Sequence, residues 1–237
     1  MSGMKRLLSA VLAGMLAFSL AACGANQPPS SAVPSEAPSD SVSAAPSASQ
    51  TENGQTSGSN ILIVYFTADE NREVDAVTSA SLTTVGGVEK GRVRAVADMI
   101  QAETGGDLFS IQTDAGYPSN GSELIDYAAE EQRQNVRPTL TTHIENLADY
   151  DTVFVGFPNW WYDMPMALYS FFDEYDLSGK TIIPFNVHNG SRFSGTIQTI
   201  QELEPGANVI TDGFTVSERT VADAAADVGE WLRGLGF

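Results

Sequence analysis

Val153–Phe154–Val155–Gly156–Phe157–Pro158–Asn159–Trp160–Trp161–Tyr162–Asp163 is the stretch whose reading decides the fold. Its apolar first half reads as a buried strand. Its second half reads as a loop that carries aromatics at the strand's carboxyl end. In open parallel sheets, ligands bind beyond the carboxyl ends of the strands, where the strand order reverses. Two adjacent tryptophans in such a loop suit a flat ring system, because indoles offer large π-faces at little entropic cost. The same residues also suit a cluster that packs onto a helix, with one of the two indoles turned inward.

The chain on either side alternates strand and helix. Asn60 to Phe66 is a continuous β-branched and aromatic run, as expected of a central parallel strand buried on both faces. Val93, Val96, Ala97 and Ile100 fall at helical spacing, and Gly105–Gly106 ends that helix. Asp107 to Gln112 reads as a second strand, and a helical pattern runs from Ser122 to about Asn135. Thr152 to Phe157 is the third strand, and Met164 to Asp173 is helical. Lys180 to Val187 is the fourth strand, Phe193 to Leu203 a helix, and Asn208 to Val216 a fifth strand. Val221, Ala224, Ala225, Val228, Trp231, Leu232 and Leu235 form an i, i+3, i+4, i+7 stripe on a last helix. Five β-α repeats with right-handed crossovers predict an α/β fold with a parallel sheet covered by helices on both faces. A sheet of five strands fits the order 2-1-3-4-5.

On these pieces residues 61–237 resemble the flavodoxin family, most closely its bacterial branch with a long aromatic loop after strand three. The matching segments are Ile61–Phe66, Ala148–Trp161 and Leu177–Phe185, followed by His188–Asn189–Gly190–Ser191. The resemblance implies a flavodoxin-like, five-stranded sheet and an FMN cofactor whose isoalloxazine lies between the loops after strands three and four. Carried over, Pro158, Asn159, Trp160 and Trp161 cover one side of the ring. Asn186, His188, Asn189, Gly190 and Ser191 meet its edge through backbone and short polar side chains. His188 has a second reading, as a loop residue that satisfies a backbone group.

The loop after strand one departs from that family. Flavodoxins wrap the FMN phosphate with a Ser/Thr-x-Thr-Gly-x-Thr loop and a helix amino terminus. This chain starts correctly with Thr67 but continues Ala68–Asp69–Glu70, and its helix does not begin until about Gly91–Arg92–Val93. Two acids beside a phosphate repel it, so the usual cradle is expected to be absent or rebuilt. Within the insertion, Asp75–Ala76–Val77–Thr78–Ser79–Ala80–Ser81–Leu82–Thr83–Thr84 resembles the motif that bacterial flavin transferases recognise in exported proteins. That resemblance makes Ser81 the acceptor of FMN through a phosphoester. A plain Ser/Thr-rich surface loop is the other reading.

The amino end reads as an address. Lys5 and Arg6 precede an apolar stretch, Leu7 to Ala22, too short for a comfortable membrane span. It ends Leu20–Ala21–Ala22–Cys23–Gly24, which resembles the bacterial lipobox, so residues 1–22 are expected to be a signal peptide and Cys23 a lipidated anchor. Residues 24–59 are rich in Ser, Ala and Pro and hold almost no large apolar side chain, which predicts a disordered tether with an r.m.s. reach of roughly 30–36 Å. The expected location is outside the cytoplasm, on a bacterial membrane. Cys23 is the only cysteine, so no intramolecular disulfide forms. Two histidines, His143 and His188, argue against a His-based metal site. The chain carries −18, of which −1 falls on residues 1–60 and hence −17 on the rest, and such a surface argues against nucleic-acid binding.

These readings converge on a membrane-tethered FMN protein that passes electrons to a partner protein or small acceptor. No side chain stands out as a catalytic acid, base or nucleophile. Asp163, Asp173, Glu174 and Asp176 read as a solvated acidic face, with docking of a basic redox partner as the sharper alternative. An FMN-dependent reductase of quinones or other small acceptors is the enzymatic alternative. A flavin-free binding lipoprotein that uses the aromatic pocket for another ligand is the third.

Overall fold

The computed structural model describes residues 60–71 and 82–237. The expected signal peptide, Cys23, the tether and Ser81 lie outside these residues.

β1 (Ile61–Tyr65) is buried from Leu62 onward, as its β-branched and aromatic run demands. A 3-10 turn (Ala68–Glu70) follows. β2 (Leu82–Val85) and β3 (Val88–Gly91) form an antiparallel hairpin with no counterpart in the β-α reading. Its two turn residues, Gly86 and Gly87, have φ of 59° and 83°, the sign that tight hairpin turns require and that glycine adopts without strain. The hairpin leads directly into α1 (Arg92–Thr104), which stops at left-handed Gly105. β4 (Asp107–Ser110) leads to α2 (Gly121–Gln134), whose first turn is capped by the Asn120 side chain accepting from the Ser122 N–H at 3.0 Å. β5 (Thr152–Pro158), α3 (Met166–Glu174), β6 (Thr181–His188) and α4 (Thr196–Leu203) continue the alternation. β7 (Asn208–Val209), β8 (Phe214–Ser217) and α5 (Ala225–Leu235) close the chain.

The main sheet is parallel and runs β4-β1-β5-β6, with β7 and β8 both on the outer edge of β6. This is the 2-1-3-4-5 order with its fifth strand in two pieces. The expected continuous strand from Asn208 to Val216 is interrupted, and Pro184 supplies the reason. The carbonyls of Lys180 and Ile182 accept from Asn208 and Ile210, so alternate residues of β6 face the fifth strand. Pro184 is next in that series and has no N–H to offer. β7 therefore pairs with Thr181–Ile182, and β8 resumes at Phe185.

Side chains alternate across the sheet into two cores. Leu62, Val64, Phe66, Val155 and Phe157 pack under α2, α3 and α4 with Leu124, Leu168, Phe171 and Ile200. Ile63, Tyr65, Phe154, Ile183 and Phe185 pack under α1 and α5 with Val96, Ile100, Val228 and Leu232. Each such side chain contributes about 1.5–3 kcal/mol by leaving water. Trp231 belongs to the second core, against Phe154 at 5.9 Å and Phe214 at 5.4 Å.

Candidate functional site

Three strands, β1, β5 and β6, end around one cavity of about 370 Å³. Thr67 and Ala68 reach it from β1, Pro158 to Trp161 from β5, and Val187 to Asn189 from β6. Gly121, Leu124, Ile125 and Ala128 of α2 form another wall, and Arg92, Val93 and Glu218 complete it. The topology thus brings the aromatic loop, the loop after β6 and the amino end of α1 to one place.

Each loop is tied down. Asn71, 5% exposed, donates from Nδ2 to the carbonyls of Thr67 (3.0 Å) and Ile111 (2.9 Å) and accepts from the Thr113 N–H at 2.8 Å. Those bonds hold the exit of β1 to the exit of β4. After β5, Trp160 and Asp163 exchange both backbone hydrogen bonds, at 2.8 and 3.0 Å, so Trp161 and Tyr162 are the two residues of a closed turn. Both are left-handed, with φ of 52° and 66°. Large aromatics rarely accept that conformation, which costs about 1–2 kcal/mol for each. Asp163 anchors the turn: Oδ1 accepts from the Met164 N–H at 2.8 Å and Oδ2 from Tyr169 Oη at 2.8 Å.

Trp160 is the indole turned toward the core. It meets Phe66 edge-on at 5.7 Å and Tyr117 at 5.9 Å, and it still lines the cavity. Trp161 stands at the mouth, 50% exposed, and its Nε1–H donates to the Ile125 carbonyl of α2 at 2.9 Å. Asn159 donates from Nδ2 to the Arg192 carbonyl at 2.5 Å and to Ser194 Oγ at 3.2 Å. Asn186, fully buried, donates to the same Arg192 carbonyl at 2.8 Å and accepts from Thr215 Oγ1 at 2.6 Å. Asn186 is thus a brace beneath the loop after β6, outside the cavity lining. Gly190 (φ 105°) and Ser191 also lie outside the lining, whereas His188 and Asn189 belong to it. His188 Nδ1 accepts from the Gly190 N–H at 2.8 Å, which leaves the ring proton on Nε2. Burial, and then the Arg192 charge, hold its pKa below the usual histidine value, against the opposing pull of Glu218.

Each of the four acids that read as one solvated face has a partner. Asp173 pairs with Arg137 at 2.7 Å, Glu174 with His143 at 2.7 Å, and Asp163 holds its turn. Asp176 caps the Ser178 N–H at 2.9 Å.

Sequence reasoning missed Arg92, Glu218 and the α2 wall. Arg92 and Glu218 are remote in sequence, yet their side chains lie 3.6 Å apart because α1 and the exit of β8 meet at the cavity. For α2 a signal existed: Ile125 is apolar on an exposed position of an otherwise amphipathic helix, 53% exposed. Among the described residues, no group of three His, Cys, Asp or Glu side chains is placed to hold a metal ion.

Residues 80–233 match a family model described as flavodoxin. No curated protein matches the chain. Among solved structures, the chain is similar to one from Bacteroides eggerthii assigned provisionally as a flavoprotein, with 24% identity, 76% of this chain and 99% of that chain covered, and a TM-score of 0.56. A second, from Bacteroides uniformis and assigned in the same way, has 24% identity, covers 74% and 99%, and has a TM-score of 0.57. A third, a flavoprotein in complex with FMN from Lactobacillus acidophilus, has 17% identity, covers 71% and 99%, and has a TM-score of 0.50. At these identities the likeness is one of fold.

Proposed function

The chain belongs to the flavodoxin family, and from that premise we propose that it is a lipid-anchored FMN protein that carries electrons outside the cytoplasm. The observation that carries this reading is the cavity at the carboxyl ends of β1, β5 and β6, with Trp160 fixed by the core on one side and the His188–Asn189 loop facing it. Its volume falls within the range of small-ligand sites. Its donor set suits a tricyclic ring with a polar edge: indole faces and Pro158 for the ring, and the Nε2–H of neutral His188 and the Asn189 backbone for the edge. Bound FMN supplies one- and two-electron transfer, and the protein's part is to bind, orient and shield it. Trp160 and the α2 wall exclude water from the ring, while the bonds from Asn159 and Asn186 to Arg192 keep the edge-facing loop in place.

Attachment at Ser81 fits this frame. Ser81 immediately precedes Leu82, and Leu82 pairs in register with Gly91 at the foot of α1, beside the cavity. In the proposed step Ser81 Oγ attacks the flavin phosphate of a flavin dinucleotide. The Oγ–P bond forms, the pyrophosphate bond breaks, the nucleoside monophosphate leaves with the electron pair, and the serine proton passes to base. Cys23 would then hold the protein at the membrane, with residues 24–59 as its reach.

A second reading is favoured by one feature. Trp161, Tyr162 and Ile125 are 50%, 73% and 53% exposed at or beside the cavity mouth, and such an apolar rim suits a second flat ring of the quinone class. Steady-state turnover of quinones by the reduced protein separates a reductase from a carrier, which reacts slowly and without selectivity.

The test of the main reading is the absorbance spectrum of the protein made together with a flavin transferase. Flavin bands that survive denaturation and washing, and that disappear in Ser81→Ala, are expected. Colour lost on washing alone removes the ester, and a colourless native protein removes the flavin.

A further inference from the structure

α1 starts beside the cavity, and the unbonded N–H groups of a helix's first turn ordinarily attract an anion. Here a carboxylate and a hydroxyl stand beside that position. Gly91, the residue before the first turn, offers no side chain to cap the helix. The space that a Cβ on Gly91 would fill holds Asp69 Oδ1 and Thr67 Oγ1. Thr67 Oγ1 donates to Asp69 Oδ1. The pair stands where an N-cap side chain would stand, with a carboxylate at the positive end of α1. Thr67, 2% exposed, has committed its hydroxyl proton to Asp69.

Among the described residues, no cation offsets this carboxylate. Glu70 is compensated by Arg94 at 3.5 Å and by hydrogen bonds from Tyr65 and Ser110. Among the described residues Asp69 has no ion pair. Among the described residues Arg92 is the one lysine or arginine in the cavity lining, and Glu218, also in the lining, sits 3.6 Å from it. Counted over the described residues, Asp69, which stands beside Gly91 just outside the lining, together with Glu218 outweighs Arg92, so this end of the cavity is net negative.

We infer that Asp69 makes this cavity select a flavin whose tail bears at most one negative charge, riboflavin or an FMN esterified through its phosphate, over free FMN. This rests on the flavin reading above. A free phosphate monoester carries close to two negative charges near neutral pH, and a diester carries one. Replacing the phosphate-binding function of α1 by a carboxylate penalises the dianion most, by about ten-fold in affinity for one like charge at partly screened, near-contact range.

The experiment uses the full chain carrying Ser81→Ala, so that no ester forms at that residue, prepared free of flavin. Riboflavin and FMN are titrated separately at low ionic strength, with flavin fluorescence as the readout. Riboflavin is expected to bind at least as tightly as FMN. Adding Asp69→Asn is expected to tighten FMN about ten-fold and to leave riboflavin within two-fold. A salt series on the parent chain gives a second check that needs no variant at Asp69: FMN binding strengthens as salt screens the repulsion. The inference is overturned if the parent chain binds FMN ten-fold more tightly than riboflavin, if Asp69→Asn moves both ligands equally, or if salt weakens FMN. Failure of both flavins to bind overturns the flavin reading itself, an outcome distinct from the other three.

Discussion

Glu131 keeps a carboxyl where water does not reach. It is 5% exposed on α2, its Oε1 accepts from Tyr117 Oη at 3.2 Å, and among the described residues its Oε2 has no hydrogen-bond partner. Burial pushes its pKa from 4.5 up to about 7, against the lowering effect of the Tyr117 hydrogen bond. The unfolded chain releases this proton near 4.5 and the folded chain holds it to about 7. Its contribution to stability is therefore full below pH 4.5 and is lost as pH rises through 7, by about 3 kcal/mol at most. Glu131→Gln removes that loss. Urea unfolding should show the variant about 2 kcal/mol more stable than the parent at pH 8 and nearly equal to it at pH 4.5; parallel pH curves would show that the carboxyl titrates normally. At this scale the sequence was readable where chemistry is local and unreadable where it is remote. The paired indoles and Thr67 were singled out from their neighbours alone, and all three line the cavity. Asp69 read as an acid beside a phosphate, but its place at the foot of α1 depends on a Gly91 more than twenty positions away. Nothing in the sequence neighbours of Glu131 shows that Tyr117 comes to cover it.

The turn between Trp160 and Asp163 is the element most at odds with its own residues. A closed two-residue turn with two positive φ values is the natural home of Asn-Gly, yet it carries Trp161 and Tyr162. Strain of this kind persists where surrounding contacts impose it, and it gathers at ligand sites. Here the Asp163 bonds to Met164 and Tyr169 and the Trp161 bond to Ile125 impose it. Tyr162→Gly is expected to raise stability by about 1 kcal/mol and to raise the melting temperature by a few degrees. The same change removes a 73% exposed ring from beside the cavity mouth, so it should weaken any flat apolar acceptor more than it weakens the flavin. A fall in melting temperature would mean that the ring's contacts outweigh the strain. Element identity was legible where periodicity was strong, as in β1, β5, β6 and the stripe of α5. The hairpin of β2 and β3 was not, because Leu82 to Gly91 lacks a long apolar alternation and its Gly86–Gly87 turn is a short signal within a Ser/Thr-rich insertion. The division of the fifth strand was written in Pro184, but on a neighbouring strand, where reading along the chain does not look.

At the scale of the whole molecule, the parallel sheet followed from the alternation of elements and the right-handed crossover, its order was the flavodoxin-like one that five strands fit, and neither needed knowledge of any side-chain contact. The cavity followed from that order, since β1 lies between β4 and β5 and the chain changes direction across the sheet there. What order alone does not convey is charge at close range. A net −17 on residues 61–237 says that the surface is acidic, not that a carboxylate occupies the foot of α1. The two cores also divide the three tryptophans. Trp160 and Trp161 stand at the cavity, and Trp231 lies across the sheet among Phe154, Phe214 and α5. The protein is therefore its own optical gauge. A chromophore entering the cavity should quench Trp160 and Trp161 strongly and Trp231 weakly, so the emission left at saturation should carry the spectrum of one partly shielded indole. Trp231→Phe should abolish that residual light while leaving the titration midpoint unchanged, which makes occupancy readable without a label, by the ratio of two colours from one chain.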